Sequence, residues 1–429
     1  MTTMDIAGFL IVIILIVTLV VVLSERINET ATVLFAMSLA GAILWFAYGF
    51  TFREFVLLME WDTILFVTAM LIVVAIAASS GMFQYIALVL LKGTQGEPKK
   101  IFVTFMGFVF VISLFLDPLP TMLVMGVFTV EVCKVIDLDF RPILISEVIV
   151  ANFASIPSFV GSIPNLVIAV WAETDVALLA IVLFPLSIIL FIVTLFILIR
   201  WYGPELDAEI CSDWNLLYMV KPSIMIKSRH DFYLSIIAMS ILVLGFTIGA
   251  LRVEASLIAM MVASAMLVFS HERAEKLVRQ LSWGTIFFLV GLFGLVAALE
   301  RSGVIDEFVS GITGLIGNNI FLGMSFLIWI PGFFLSVIDN VPIAALLAPL
   351  GQSLGATNAV VPLTLFIGIN VGGYMIPFGD APNMIAVTQA KEGGRPISFL
   401  EFTRVALPIG FIHLIISTIY SFLVALMFV

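Results

Sequence analysis

The sequence predicts an all-α polytopic membrane protein. It is built as two inverted repeats, each of five transmembrane spans plus a re-entrant hairpin, with one interrupted span per repeat. Three observations carry this: a composition too apolar for water, landmarks that recur at a fixed spacing, and a one-sided distribution of positive charge. Of 429 residues, 62% are hydrophobic and 11% charged, with mean hydropathy +1.24. Roughly a quarter of a soluble domain is charged, so much of this surface must face lipid. The landmarks are WDTILFV at 61 with WGTIFFL at 283, SGMF at 80 with SGVI at 302, and LDPLP at 116 with IDNVP at 338, each pair 222 residues apart. Asn152 and Asn370, then Asn165 and Asn383, follow at 218. Five landmarks in one order, with one four-residue slip, mark a duplicated unit.

The first repeat occupies residues 1–200. Its apolar runs near 5–24, 30–50 and 62–79 are spans, and a short segment follows at 82–92. The opening run has an acidic front at Asp5 and no small-x-small cleavage site, so it reads as a retained span. Two arms, 101–116 and 119–136, meet at Asp117-Pro118. At 16 to 18 residues they fall short of a full crossing of roughly 20, which makes the pair a re-entrant hairpin over about 101–136. A span over 143–173 is interrupted at Gly161–Pro164, and 176–200 closes the unit. The polar stretch 201–231 is a linker. The second repeat, 232–429, has spans at 232–250, 254–270 and 283–300 and a hairpin over about 320–355 with arms 320–338 and 341–355. An interrupted span at 361–390 and a last span at 402–428 complete it. Five spans per unit is an odd number, so the second unit enters from the opposite side. Under this topology, sixteen of nineteen Lys and Arg residues lie on one side, and only Arg53, Arg252 and Arg301 on the other. Positive loops stay inside. The linker is therefore expected in the cytoplasm and both termini outside, in the cell membrane.

Several classes fall away. Two cysteines, Cys133 and Cys211, make neither a disulfide framework nor a metal site. A net charge of -10 does not suggest nucleic acid. The chain has no G-x-x-x-x-G-K-[ST] loop to hydrolyse ATP, which leaves a separate ATPase partner open. No cofactor is expected beyond a coupling ion, H+ or Na+ or both.

Polar residues at membrane depth are expensive and are functional candidates by default. Here they form two matched sets. Asp117 and Thr121 at one tip go with Asn152, Ser162 and Asn165 at one break. Asp339 and Asn340 at the other tip go with Asn370, Asp380 and Asn383 at the other break. Pro120 and Pro342 follow the tip aspartates by three residues, and Pro164 and Pro382 precede the asparagines by one. Proline removes a donor and disfavours helix before it, so the breaks are written into the chain. Broken helices expose N–H groups and carbonyls together, ready to meet one bound solute. The tip aspartates also suit helix N-caps, a role compatible with binding. Glu131 and Glu147 read as solvated near cytoplasmic helix ends, and Cys133 and His413 as packing residues.

The stretches FLDPLPTMLVM, ILISEVIVANFASIPSFVGSIPNLVI, DNVPIAALLAP and GINVGGYMIPFGDAPNMI resemble the ion transporter superfamily. The resemblance is to its citrate-transporter-like branch of arsenite permeases, NhaD-type sodium/proton antiporters and the melanosomal P protein. It implies a scaffold region, a mobile transport region, a homodimer and an elevator-type motion. It also implies that Asp117, Thr121, Asn165, Asp339, Asn340, Asp380 and Asn383 surround the site. Two departures concern the first half: the family's L-D-N and G-D-P-P-N stand here as Leu116-Asp117-Pro118 and Gly161-Ser162-Ile163-Pro164-Asn165.

Three carboxylates near one site argue for a cation or a proton as a carried species, which puts secondary cation (sodium)/proton antiport first. Asp380 and the tip aspartates are then the available proton carriers. Efflux of arsenite, silicate or another metalloid or oxyanion is an alternative, because the neutral forms tolerate aspartate. A sodium-coupled dicarboxylate carrier is a further one. An intramembrane aspartyl protease would need G-x-G-D where the chain has Pro377-Phe378-Gly379-Asp380. The orientation is testable: Asn215→Cys in the linker should react with an impermeant thiol reagent only after cells are permeabilised. Labelling on intact cells would reverse the topology.

Overall fold

A computed structural model describes residues 6–23, 26–158, 161–172, 174, 176–206, 214–247, 255–279, 281–317, 319–338, 340–356 and 358–427. Among them all regular structure is helical. The first unit runs α1 (Ile6–Leu23), α2 (Glu29–Tyr48), α3 (Phe52–Leu57), α4 (Trp61–Ser80), α5 (Met82–Lys92), α6 (Pro98–Ser113), α7 (Pro118–Val135), α8 (Arg141–Ala154), α9 (Ile163–Trp171) and α10 (Val176–Trp201). Two short helices, α11 (Gly203–Leu206) and α12 (Trp214–Met219), lie in the linker. The second unit runs α13 (Arg229–Thr247), α14 (Ala255–Phe269), α15 (His271–Arg279), α16 (Trp283–Arg301), α17 (Val304–Ile316), α18 (Ile320–Trp329), α19 (Asn340–Gly355), α20 (Leu363–Gly373), α21 (Ala381–Glu392) and α22 (Phe399–Ala425). A π turn, Ile330–Phe334, prolongs α18 towards its tip.

Six of these helices are long and apolar enough to cross a membrane. The half-helices are not. α8, α9, α20 and α21 have 14, 9, 11 and 12 residues, and at about 1.5 Å per residue none reaches the roughly 30 Å of hydrocarbon. The first interruption begins at Ser155, six residues before the expected Gly161. Two amphipathic helices, α3 and α15, were not anticipated.

Packing repeats with the order. α2 lies on α16 and α4 on α14; α9 on α19 and α21 on α7; α6 on α8 and α18 on α20. Exchanging each helix for its counterpart in the other unit turns one contact of each pair into the other. Even a local detail recurs: the Trp61 indole donates to the Val56 carbonyl at 2.8 Å, and that of Trp283 to Val278 at 3.0 Å. Each unit's hairpin arm packs on the other unit's broken span, so the tips and breaks of both halves converge.

Ends of helices are set by local chemistry. Asn28 caps α2, its Oδ1 accepting from Ala31 N at 2.9 Å, and Ser398 with Glu401 forms a reciprocal box at the start of α22. Gly81 ends α4 with φ +83°, and a Cβ there would lie 1.8 Å from the Met225 carbonyl oxygen. The linker is thus pressed onto the α4–α5 corner, where Lys227 N donates to Ser80 O at 2.9 Å.

Close crossings need missing side chains, as is common between apolar helices. At the α2–α16 contact, a Cβ on Gly291 would sit 2.8 Å from the Val33 carbonyl carbon, whereas Gly311 on α17 has open space. Gly291→Ala should therefore destabilise the purified protein by about 1–3 kcal/mol. Gly311→Ala should be neutral or slightly stabilising. Thermal melting in detergent distinguishes the two.

Candidate functional site

The site grows from two backbone interruptions. Where α8 stops, the amide nitrogen of Asn165 donates to the carbonyls of Ser155 at 2.8 Å and Ser158 at 2.9 Å. Where α20 stops, Asn383 donates to Gly373 at 2.7 Å and Ile376 at 2.8 Å. Each asparagine sits in the first turn of the following half-helix and reaches back across the gap. A carbonyl freed at a helix end away from water must find a donor. These two side chains supply it, so the breaks are held rather than loose.

The N-terminal ends of α9 and α21 are closed differently. Asp380 caps α21, its Oδ1 accepting from Ala381 N at 3.0 Å, and its Oδ2 accepts from Asn340 Nδ2 at 2.9 Å. The tip amide and the break carboxylate are thus joined in the second half. Ser162, in the corresponding place, makes no capping bond. The tip carboxylate does it instead: Asp117 accepts from Leu119 N at 2.9 Å on one oxygen and from Ile163 N at 3.0 Å on the other. One aspartate caps both α7 and α9. Its counterpart Asp339 lies outside the described residues.

Between the breaks lie the amides of Asn152 on α8 and Asn370 on α20. Asn370 Nδ2 donates to Asn165 Oδ1 at 2.6 Å and to Phe366 O at 2.7 Å, while its Oδ1 accepts from Ser162 Oγ at 3.4 Å and, at 3.0 Å, shares the Ser155 hydroxyl proton with the nearer Asn152 carbonyl at 2.7 Å. The amides of Asn165 and Asn370 are thus paired with each other, whereas those of Asn152 and Asn383 are not. Asn152 Nδ2 is committed to Val148 O at 3.0 Å, which fixes the amide, and its Oδ1 finds no hydrogen-bond partner among the described residues. Asn383 Oδ1 is in the same position, as is Thr121 Oγ1. All three residues are buried. Gly373 takes the place that Ser155 holds in the first unit, so the hydroxyl that would satisfy Asn152 is missing. A Cβ on Gly373 would lie 2.4 Å from Asn340 Nδ2 and 3.2 Å from Asn152 Oδ1.

Asp117, Asn152, Ser162, Asn370 and Asp380 line one partly open cavity of about 130 Å³. Asn165, Asn340, Asn383 and Thr121 do not line it. The opposite wall brings residues that sequence reasoning missed: Glu29 at the start of α2 and Thr285 with Phe288 on α16. Thr30 Oγ1 donates to Gly284 O at 3.1 Å and ties those two helix starts together. Glu29 was readable only as a first-turn acid of a helix. Ser155 was also missed; its alignment with Gly373 was the available signal. No Lys or Arg lines the cavity, and no cluster of metal-binding side chains occurs among the described residues.

Two further readings change. Glu147 is fully buried, not solvated: its Oε1 accepts from Thr129 Oγ1 at 2.7 Å. His413 is buried as expected but fully engaged. Thr194 donates to Leu190 O at 2.7 Å, so it accepts from His413 Nε2 at 2.9 Å, and His413 Nδ1 accepts from Tyr374 OH at 2.6 Å. That chain anchors the second break, at Tyr374, to α10 and α22. Outside the apolar region, burial raises the Asp139 carboxyl, but hydrogen bonds and charge from Arg141, with Arg395 beyond, hold it below its usual range.

Two interrupted spans, two facing tips and a shared polar cavity within apolar helices define a membrane transporter. The chain belongs to the citrate transporter family, whose description matches residues 19–367. It is 26% identical over 415 residues to an uncharacterized transporter of Mycobacterium tuberculosis, covering 94% of this chain and 95% of that one. It is 25% identical to the magnetosome protein MamN of Magnetospirillum gryphiswaldense, over 89% of this chain and 92% of that one. The human P protein is 23% identical over 84% of this chain and 53% of its own length. These relatives fall in the branch of the ion transporter superfamily that the paired motifs resemble.

The two half-sites respond differently to substitution. Asp117→Asn keeps one acceptor for two N–H donors and leaves the other buried donor unpaired, which costs about 1–3 kcal/mol. Ser162→Ala removes only a 3.4 Å bond and should cost less than about 1 kcal/mol. Melting temperatures of the purified variants should fall in that order.

Proposed function

We propose that this protein is a secondary active ion transporter that exchanges a cation, most naturally sodium, for protons. The observation that carries the reading is that two buried amide oxygens, Asn152 Oδ1 and Asn383 Oδ1, lack a donor among the described residues, Asn152 sharing the cavity wall with Asp380 and Asn383 lying in the first turn that Asp380 caps. Acceptor oxygens that lack a donor are ligands for a cation. An anion would meet them as repulsion. The cavity's ionisable side chains, Glu29, Asp117 and Asp380, are all acids, so they oppose a free organic polyanion in spite of the family's description. A neutral metalloid acid meets no such opposition, and its hydroxyls could donate to the same oxygens; that is the second reading.

In this proposal Asp380 provides the charge, Asn340 orients it, and Asn152 and Asn383 complete the oxygen shell; Asp339, next to Asn340 in the sequence, is a further candidate ligand. The first half keeps the same backbone plan but is closed by Ser155 and Ser162, which leaves one principal cation position per chain. Asp117, Thr121, Asn165 and Asn370 then shape and brace the site. Glu29 and Thr285 begin helices whose preceding loops fall on the positive, cytoplasmic side, so the cavity belongs to an inward-facing state. The two repeats are read as inverted, with α6–α9 and α18–α21 as the transport region. That region slides as an elevator against α2, α4, α14 and α16 in each protomer of a homodimer.

The test is flux into proteoliposomes with an entrapped pH dye, screening sodium, lithium, arsenite, silicate and dicarboxylates. Sodium-dependent proton movement is expected; movement of dicarboxylate alone would overturn the reading. Asp380→Asn keeps its cap and should fold, yet lose sodium-driven flux at least tenfold. Gly373→Ser, which supplies a hydroxyl near Asn152 Oδ1 and whose Cβ displaces the Asn340 amide from Asp380, should abolish stabilisation of the purified protein by sodium. Unchanged sodium stabilisation in both variants would remove this half-site from the mechanism.

A further inference from the structure

Glu147 has no part in the site just described, yet it is a fully buried carboxyl with a single hydrogen bond. Thr129 Oγ1 donates to its Oε1, and its Oε2 finds no partner among the described residues. It lies five residues before Asn152 on α8, about 7.5 Å along the axis. That is too far to touch a solute held at Asn152 and near enough for its charge to be felt there.

Its surroundings are patterned. Met122, Gly126 and Thr129 follow one face of α7 at helical spacing. Gln389 of α21 lies across that face: its Nε2 donates to Met122 O at 3.1 Å, and its Oε1 sits where a Cβ on Gly126 would be only 1.7 Å away. Gln389 Oε1 also finds no donor among the described residues, nor does Thr121 Oγ1 at the start of α7. From the tip towards the far end of α7, buried oxygens at Thr121, Gln389 and Glu147 succeed one another without donors. Such oxygens can accept a hydrogen bond from a protonated carboxyl, and their surroundings are hostile to an ionised carboxylate with nothing to balance it.

No charge does so. α20 carries no ionisable side chain. Lys99 and Lys100 of α6, Arg200 of α10, and Lys391 and Glu392 of α21 are exposed. On α7, Glu131 and Lys134 are exposed and Cys133 is a buried thiol. Arg141, on α8 itself, pairs with Asp139 at 2.7 Å and with Glu401 of α22 at 3.2 Å. Of the remaining α22 groups, Arg404 is exposed, Tyr420 donates to Val182 O at 2.6 Å, and His413 is engaged on both nitrogens.

We infer that Glu147 is a proton-binding site separate from the cation site. It exchanges its proton with the cytoplasmic side along the Thr129 face of α7. The inference rests on the antiport reading for its purpose. When a monovalent cation enters at Asp380, the Oε2–H bond of Glu147 breaks, the proton passes to water, and the electron pair stays on the carboxylate. When the cation leaves, the proton returns. One positive charge replaces one proton, so the moving region keeps its net charge throughout. Proton and cation then occupy different carboxyls, coupled through a short low-dielectric distance rather than by competing for one.

Two measurements on purified full-length protein test this. Difference infrared spectra across an alkaline titration should show a protonated-carboxyl band in the wild type that is absent in Glu147→Gln. In proteoliposomes, Glu147→Gln should lose sodium-driven proton release at least tenfold while keeping sodium–sodium counterflow. Gln retains an acceptor for Thr129. Should it still fail to fold, Thr129→Val, which removes that donor, should displace the midpoint of the band. A band that persists in Glu147→Gln, or a midpoint indifferent to Thr129→Val, overturns the assignment, as does undiminished proton release. If wild-type protein moves no protons with sodium, the antiport reading fails; the infrared band then decides the proton site by itself.

Discussion

The structure depends on one constraint: helices that stop inside an apolar environment must have their freed backbone groups paired. Asn165 and Asn383 meet it from the carbonyl side, each bridging two carbonyls that its own unit has left open. Asp117 and Asp380 meet it from the N–H side. A single unpaired polar group buried away from water costs on the order of 1–3 kcal/mol, so these four residues permit the breaks to exist. Function is built on the same parts, because an asparagine that spends its nitrogen on the backbone has its oxygen left to point elsewhere.

Duplication supplies two such places, and divergence makes them unequal. In the first, the hydroxyls of Ser155 and Ser162 reach Asn370, whose amide is paired with that of Asn165. In the second, glycine and aspartate stand in those positions, and the amide oxygens of Asn152 and Asn383 lack a donor among the described residues. Loss of the carboxylate at Ser162 does not uncap α9, since Asp117 reaches across from the tip. The backbone break is kept although the two halves differ in which polar groups are paired.

This division suits a transporter of the citrate transporter family. One pair of amides is closed by its own hydrogen bonds, and the other keeps two oxygens without donors among the described residues. The cavity joins residues from the tips and breaks to Glu29 and Thr285 on helices of the opposite wall. A solute there would touch both helix groups. Buried carboxyls away from that cavity, Glu147 above all, can hold compensating charge without blocking the path.

The sequence by itself determined the all-helical, membrane-embedded class, the recurrence of its landmarks and, to within several residues, the interruptions after α8 and α20. Those properties are local: hydrophobic run length, proline and glycine at fixed offsets, and polar residues where polarity is costly. The linker's cysteine, Cys211, and the second tip's Asp339 lie outside the described residues, so their surroundings add nothing. What only the tertiary structure decided is which atoms pair. Asp117 capping α9, Asn370 reaching Asn165, and Glu147 buried under Thr129 all join segments distant in the chain. Glu147 was misread because nearness to a helix end is a one-dimensional measure of exposure, whereas its burial comes from α7 and α21 packing over it. Hydrophobic and backbone demands act along the chain and leave a periodic trace. Which polar atom is left without a partner is settled only when side chains from different helices meet.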